Sequence, residues 1–325
     1  MAQYASDVAA VAALQEKYQQ IKSTIAQVVV GQDKVVDQLL ISILSNGHSL
    51  LVGVPGLAKT LLVKTVADVL DLSFKRVQFT PDLMPSDITG NEILDANRQF
   101  KFIKGPIFAN IILADEINRT PPKTQAALLE AMQERNITTA GVEYQLPAPF
   151  FVLATQNPIE QEGTYPLPEA QLDRFMFMIN VDYPSFEEEM QIVKQTTSVQ
   201  SVALPKVLNA EEILYFQQLI KRVPVADNVI AFAVKLVQAT RLNIATNKTA
   251  QQYIAWGAGP RASQNLILAA KCFAVLNGKY SPDIEDVKQI ALAVLRHRVI
   301  RNYKAESDGM DIETVVTNLI NEINH

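Results

Sequence analysis

The 325-residue sequence predicts an α/β domain built on a parallel, doubly wound sheet, followed by a smaller all-helical domain. Three observations carry this expectation. Five short apolar runs, HSLLVGV, KRVQFT, NIILADE, FFVLATQN and FMFMINV, alternate with helical patterns between His48 and Val181, as strands buried on both faces of a parallel sheet do. The segments between them are long enough for right-handed crossovers. After Tyr183-Pro184, apolar residues recur at helical spacing through to Asn324, with no further strand pattern.

Taken in order, a helical N-terminal segment leads to the first strand, which ends in GVPGLAKT, and a helix begins near Lys59. Between the second and third strands lies the long insertion DLMPSDITGNEILDANRQFKFIKGPI, with two strand-like runs around Asp95-Ala96-Asn97. A helix ending near Arg135 precedes NITTAGVEYQLPAPF, a second hairpin pattern centred on Gly141. Ser185 and Glu188 form a capping-box signature for the next helix, and TTSVQSVALPK resembles a linker. In the helical part, SPDIEDVKQIALAVLRHRV reads as a helix with Ser281 at the N-cap and Pro282 in the first turn. The expected division is residues 1–195 as the α/β core with its N-terminal helix, 196–206 as linker and 207–325 as the helical domain.

Composition narrows the function classes. With 48% hydrophobic and 19% charged residues, a net charge of -5 and a pI near 5.4, the chain is a globular protein without the clustered Lys and Arg of a large nucleic-acid footprint. No apolar stretch reaches the ~18 residues of a membrane span. The start MAQYASDVAA has no signal-peptide pattern. A cytoplasmic location is therefore expected. Cys272 is the single cysteine, in the apolar context LAAKCFAVL, and reads as core. His48, His297 and His325 are too scattered to suggest a metal site and read as strand edge, helix end and tail. Trp256 reads as a packing or hinge residue.

The chemistry concentrates at strand ends, where ligands bind in doubly wound sheets. GVPGLAKT approaches the phosphate-loop pattern G-x-x-x-x-G-K-[ST], with Ala58 in place of its second glycine. A strand delivering such a turn to a helix start lines up backbone N–H groups as an anion nest. Lys59 can reach outer phosphates, and the Thr60 hydroxyl suits Mg²⁺. Alanine is acceptable at position 58 if φ is negative there, as expected where a loop runs into a helix. IILADEIN ends a strand in two carboxylates: Asp115 suits Mg²⁺, and Glu116 suits the orientation and deprotonation of an attacking water. Asn157, just past another strand, can hydrogen-bond both a γ-phosphate and that water. Arg174 directly before a strand and Arg261 near a helix start sit where a cation is costly, which points to an anion that each must meet.

Together these motifs resemble an AAA+ ATPase, most closely the MoxR family, over almost the whole chain. VVVGQDKVVDQLL resembles the segment that touches adenine, DEINR the Walker B motif, ATQNP sensor 1, LPEAQLDRF the arginine-finger segment and GPRAS sensor 2; GVPGLAKT is the family's spelling of Walker A. The resemblance implies a five-stranded core of order 5-1-4-3-2, a helical lid, and a homo-oligomeric ring, hexameric in the family, with ATP and Mg²⁺ between subunits. It makes Val30, Gly31 and Gln32 base contacts, and Gly53, Val54, Pro55, Gly56, Leu57, Ala58, Lys59, Thr60 and Leu61 the nucleotide loop. Thr60 and Asp115 become the metal residues, and Glu116, Asn157, Lys59, Arg174 and Arg261 the catalytic set, with Arg174 acting on the neighbour's γ-phosphate. Arg119 and Arg135 become interface candidates, and Ile88 to Lys104 and Thr138 to Gln145 partner contacts. The implied role is chaperone-like remodelling or maturation of a partner protein, including metal-cofactor insertion, often beside a protein with a von Willebrand factor A-like domain. Two alternatives stay open: a nucleotide-gated binding module without turnover, and a DNA-remodelling motor, against which the acidic balance and the hairpin TTAGVEYQL, which lacks Lys and Arg, both weigh.

Overall fold

The computed structural model describes residues 4–94, 98–160, 162–197, 203–244 and 247–323. The chain opens with α1 (Asp7–Ile25), capped by the Ser6 hydroxyl, which accepts from Ala9 N–H, and α2 (Asp33–Leu44). β1 (Ser49–Val52) leads through the glycine-bearing loop to α3 (Lys59–Val69) and β2 (Phe74–Gln78). Then come α4 (Pro85–Thr89), the hairpin β3 (Gly90–Leu94) and β4 (Phe100–Lys104), β5 (Ile111–Asp115), a single 3₁₀ turn over Ile117–Arg119, and α5 (Pro122–Glu134). A second hairpin, β6 (Asn136–Thr139) and β7 (Val142–Gln145), precedes β8 (Phe151–Gln156), α6 (Glu169–Leu172), β9 (Phe177–Asn180) and α7 (Phe186–Thr196).

Five strands form one parallel sheet in the order β2-β5-β8-β1-β9. Numbered among themselves these are strands 2-3-4-1-5, the expected order read from the other edge. Side chains alternate between two apolar layers because a strand repeats every two residues. Ile111 and Leu113 join Leu51, Leu153, Phe177 and Ile179 on the face covered by α2 and α3. Ile112 and Ala114 join Leu50, Val152, Ala154 and Phe175 on the face covered by α5 through Leu128, Leu129 and Met132.

The helical part comprises α8 (Ala210–Arg222), α9 (Asp227–Ala239), α10 (Lys248–Tyr253), α11 (Pro260–Leu276), α12 (Ile284–Leu295), α13 (Tyr303–Ser307) and α14 (Ile312–Glu322). It is not entirely helical: β10 (Ile254–Trp256) pairs antiparallel with β11 (Ile300–Arg301). These strands of three and two residues are too short to carry a periodic signal. The start of α12 also differs from expectation, because Asp283 and Asp286 form the capping box there. The Ser281 hydroxyl instead donates to Pro224 O at 3.1 Å. Asp accepts from an N3 amide as well as Ser does, so the later acid displaces the cap by two residues.

The N-terminal helix joins the two parts, since Ala10, Leu14, Ile21 and Ile25 share one apolar cluster with Phe216 and Ile220 of α8 and Leu266 and Ala270 of α11. Near the expected linker, α7 continues to Thr196, and Val207 N–H is tied to Val69 O at 2.8 Å; residues 198–202 lie outside the described residues, as do Asp95-Ala96-Asn97 and His325.

Candidate functional site

The loop after β1 contains a surprise at Ala58. Its φ is 52° and ψ 25°, the left-handed region, against the expected negative φ. The last loop residue must step left-handed before the helix can begin, which explains why the general pattern has glycine there; an L-residue holds that conformation at a cost of about 1–2 kcal/mol. Gly56, at φ 87°, has no atom within 4 Å of where a Cβ would stand, so its dihedral alone demands glycine. At Gly53 packing decides, because a Cβ would lie 2.6 Å from Val181 O.

No side chain caps α3, so its leading N–H groups are offered to the cleft that the loop lines. Lys59 bends back and donates to Gly53 O and Val54 O. Burial holds its ammonium below the usual lysine range, opposed by the nearby carboxylates of Asp115 and Glu116.

Across the cleft, the acids are held by a network from three adjacent strands. The Thr155 hydroxyl donates to Asp115 Oδ1 at 2.6 Å and accepts Glu116 N–H at 2.8 Å. Arg76 of β2 donates to Asp115 Oδ2 from Nε at 2.9 Å and Nη2 at 2.6 Å, and Nη2 also reaches Gln78 Oε1 at 2.6 Å. Gln78 in turn donates Nε2 to Glu116 Oε2 at 2.8 Å, an oxygen that also faces Arg119 Nε at 3.1 Å. Glu116 is itself left-handed, at φ 56° and ψ 50°, which turns its side chain off the strand line. Asn157 is buried and accepts from Ile159 N–H at 3.2 Å.

One cleft of about 380 Å³ is lined by Pro55, Gly56, Leu57, Ala58, Lys59 and Thr60 on one side and Arg76, Asp115, Glu116, Thr155 and Asn157 on the other. Its donors fit polyphosphate: a helix N-terminus and an ammonium stand over it. The Thr60 hydroxyl and Asp115 carboxylate are hard oxygens of the kind Mg²⁺ takes, and the Arg76 guanidinium resting on Asp115 marks that carboxylate as a place where positive charge is held. A larger cleft of about 700 Å³ runs from Gly31 and Gln32 past Asn180 and Tyr183 to Arg296 and Glu313 near the lid. Val30 precedes it, half-buried, and Leu61 points out from α3, 44% exposed.

The expected arginines do not line the 380 Å³ cleft. Arg261, in the first turn of α11, donates to Asp173 Oδ2 at 3.1 Å, and Arg174 is half-buried with no described partner. Arg135, named as an interface candidate, turns its guanidinium inward and donates to Phe150 O at 2.7 Å and Asn46 O at 3.2 Å. Arg119 faces Glu116 and Glu160 of its own chain. Trp256 is 68% exposed and packs less than expected. His48 and His297 are buried, and Cys272, also buried, has its thiol pushed up to about 12 by burial.

Arg76, Gln78, Thr155 and Glu160 went unread in the sequence. A period-two reading of KRVQFT puts Arg76 and Gln78 on one face of an edge strand, and that was the available signal.

The residues around the first cleft, 48–177, match the family model described as ATPase family associated with various cellular activities (AAA), and residues 246–319 match that of an AAA lid domain. Chaperone MoxR1 of Mycobacterium tuberculosis is 43% identical over 302 residues, covering 92% of this chain and 80% of that protein. Protein MoxR of Methylorubrum extorquens is 31% identical, with 85% of each chain covered. A crystal structure of a protein from Cytophaga hutchinsonii superposes with a TM-score of 0.90 at 41% identity, over 97% of this chain and 96% of that one.

Proposed function

Because this chain belongs to the MoxR family of AAA+ ATPases, we propose that it hydrolyses ATP to ADP and phosphate in the cleft between the Gly53–Thr60 loop and the Asp115–Glu116 pair, as one subunit of a homo-oligomeric ring. The observation that carries the reading is the convergence of Lys59, Thr60, Asp115, Glu116 and Asn157, from three separate segments, on one cleft.

Each side chain has a task set by its position. Lys59 and the leading amides of α3 bind the phosphates. Glu116, steadied by Gln78 and Arg119, orients the attacking water and takes its proton. Asn157 orders that water against the γ-phosphate. Thr60 and Asp115 would hold Mg²⁺, which would supply charge neutralisation at the phosphates when bound. Gly31 and Gln32 border the adenine, with Val30 behind them. The roles of the two arginines outside this cleft follow from the family resemblance alone: Arg174 toward the neighbour's γ-phosphate, and Arg261, which rests on Asp173, from the lid of its own subunit.

The work done with this turnover is chaperone-like remodelling or maturation of a partner protein in the cytoplasm, a reading supported by the name of the Mycobacterium tuberculosis relative. A hexameric ring, a partner with a von Willebrand factor A-like domain, metal-cofactor insertion and contacts through the two hairpins belong to the same proposal.

The test is phosphate release against protein concentration, with oligomer size followed in the same samples. Activity that rises with assembly and disappears in Glu116→Gln and Arg174→Ala, while both variants still bind ATP, is the expected result. Tight ATP binding without turnover at any concentration would replace hydrolysis by a nucleotide-gated switch.

A further inference from the structure

Among the described residues that line the 380 Å³ cleft, the cations are Lys59 and Arg76 and the anions are Asp115 and Glu116. Lys59, Asp115 and Glu116 have tasks in the reading above, and Arg76 has none. It belongs to β2, an edge strand of the sheet, and its side chain is 48% exposed against 13% for Asp115.

The two oxygens of Asp115 are held differently. Oδ1 takes the hydroxyl of Thr155, a buried residue fixed further by accepting Glu116 N–H. Oδ2 takes Arg76 Nε at 2.9 Å and Nη2 at 2.6 Å, so its partner is a half-exposed side chain with room to turn along the cleft wall. For Asp115 to serve Mg²⁺, Arg76 must let go, because a guanidinium and a divalent cation side by side on one carboxylate repel. Charge gives the second half of the argument. With Arg76 in place the cleft's two cations balance its two acids; without it the wall is net negative and repels a polyphosphate that arrives without metal.

We propose that Arg76 is a nucleotide-binding residue that exchanges partners: it neutralises Asp115, yields that carboxylate to Mg²⁺, and then turns its guanidinium to the phosphate oxygens. Its planar fork suits both, since it pairs with carboxylate and phosphate alike. Arg76 thereby sets how strongly nucleotide binding depends on metal. The proposal rests on the reading that ATP binds in this cleft.

The test is the dissociation constant of a fluorescent ATP analogue, measured with Mg²⁺ and with EDTA on the full chain. Arg76→Gln leaves Asp115 unneutralised, so binding in EDTA should weaken about 10²-fold. With Mg²⁺ the metal supplies that charge, and the loss should shrink to about fivefold, the worth of one exposed phosphate contact. Arg76→Lys keeps the charge without the fork and should stay within about tenfold of the wild type in EDTA. A residue that merely braces Asp115 would cost the same under both conditions, so equal losses overturn the proposal. Binding left unchanged by Arg76→Gln overturns it too, as does an Arg76→Lys variant as weak in EDTA as Arg76→Gln. A wild type that binds no analogue even with Mg²⁺ overturns the reading of the cleft itself, and the proposal with it. Urea unfolding without nucleotide checks that each variant is folded, and Arg76→Met replaces Arg76→Gln in the same measurements if the Gln variant is not.

Discussion

Ala58 holds a left-handed backbone that glycine would adopt without strain. Ala58→Gly is therefore expected to leave stability level or raise it by up to about 1 kcal/mol, strain relief being offset by the freer unfolded chain. Ala58→Val, β-branched at the same φ, should lose about 2 kcal/mol. Urea unfolding of the two variants checks both, and equal stabilities would refute the strain argument. Thr155 offers a second test, because its buried hydroxyl serves Glu116 N–H and Asp115 together. Thr155→Val keeps the shape and orphans both groups, so it should cost about 1–3 kcal/mol and lower turnover with ATP binding retained; unfolding and kinetics on one preparation decide it. Lys59, Asp115 and Glu116 were legible because each sits in a contiguous motif. Arg76, Gln78 and Thr155 were not, since they meet the acids only when β2, β5 and β8 align, with Gln78 opposite Asp115.

At the scale of elements, strands were easier to read than caps or short pairings. Five apolar runs became the five strands; the inner strands β5 and β8 are buried on both faces, whereas the edge strand β2 buries only Val77. Both insertions are hairpins, and the second turns through Ala140 at φ 48° and Gly141 at φ 79°. In the first, Gly90 and Gly105 stand back to back: a Cβ on Gly105 would lie 2.6 Å from Gly90 N. The hairpins touch, with the Phe102 and Tyr144 rings stacked at 4.3 Å. Replacing Thr138–Gln145 by a short turn should leave basal phosphate release intact. It should also raise protease cutting in residues 90–104, because Phe102 loses its cover. Unchanged cutting would show that the two hairpins are independent.

On the scale of the whole molecule, two buried imidazoles tie stability to pH. His48 accepts Val152 N–H at Nδ1, 2.9 Å away, and meets Met132 O with Nε2 at 3.1 Å, an arrangement for the neutral ring. Burial pushes it down to about 3, and His297 well below its ordinary value. Between pH 6.5 and 3 the unfolded chain therefore binds more protons than the folded one. Stability is full above pH 6.5 and is lost as pH falls, with a slope approaching about 1.4 kcal/mol per pH unit for each histidine. Urea midpoints at pH 7.5, 6.5 and 5.5 should decline in that order; a flat series would mean that one or both rings take up a proton in the folded state.

By itself the sequence determined the five core strands, the helical character of most of the second part, and the phosphate-facing and acidic motifs, because these depend on periodicity and on residues adjacent in the chain; the order of the strands in the sheet was implied only by the family resemblance. Only the tertiary structure decided the left-handed step at Ala58, the inward turn of Arg135, the Arg76–Gln78 support of the acids and the pairing of Arg261 with Asp173. Those features arise where segments distant in the chain are packed against one another. A charge or a backbone angle there is set by the neighbour it meets, and no local pattern records that neighbour.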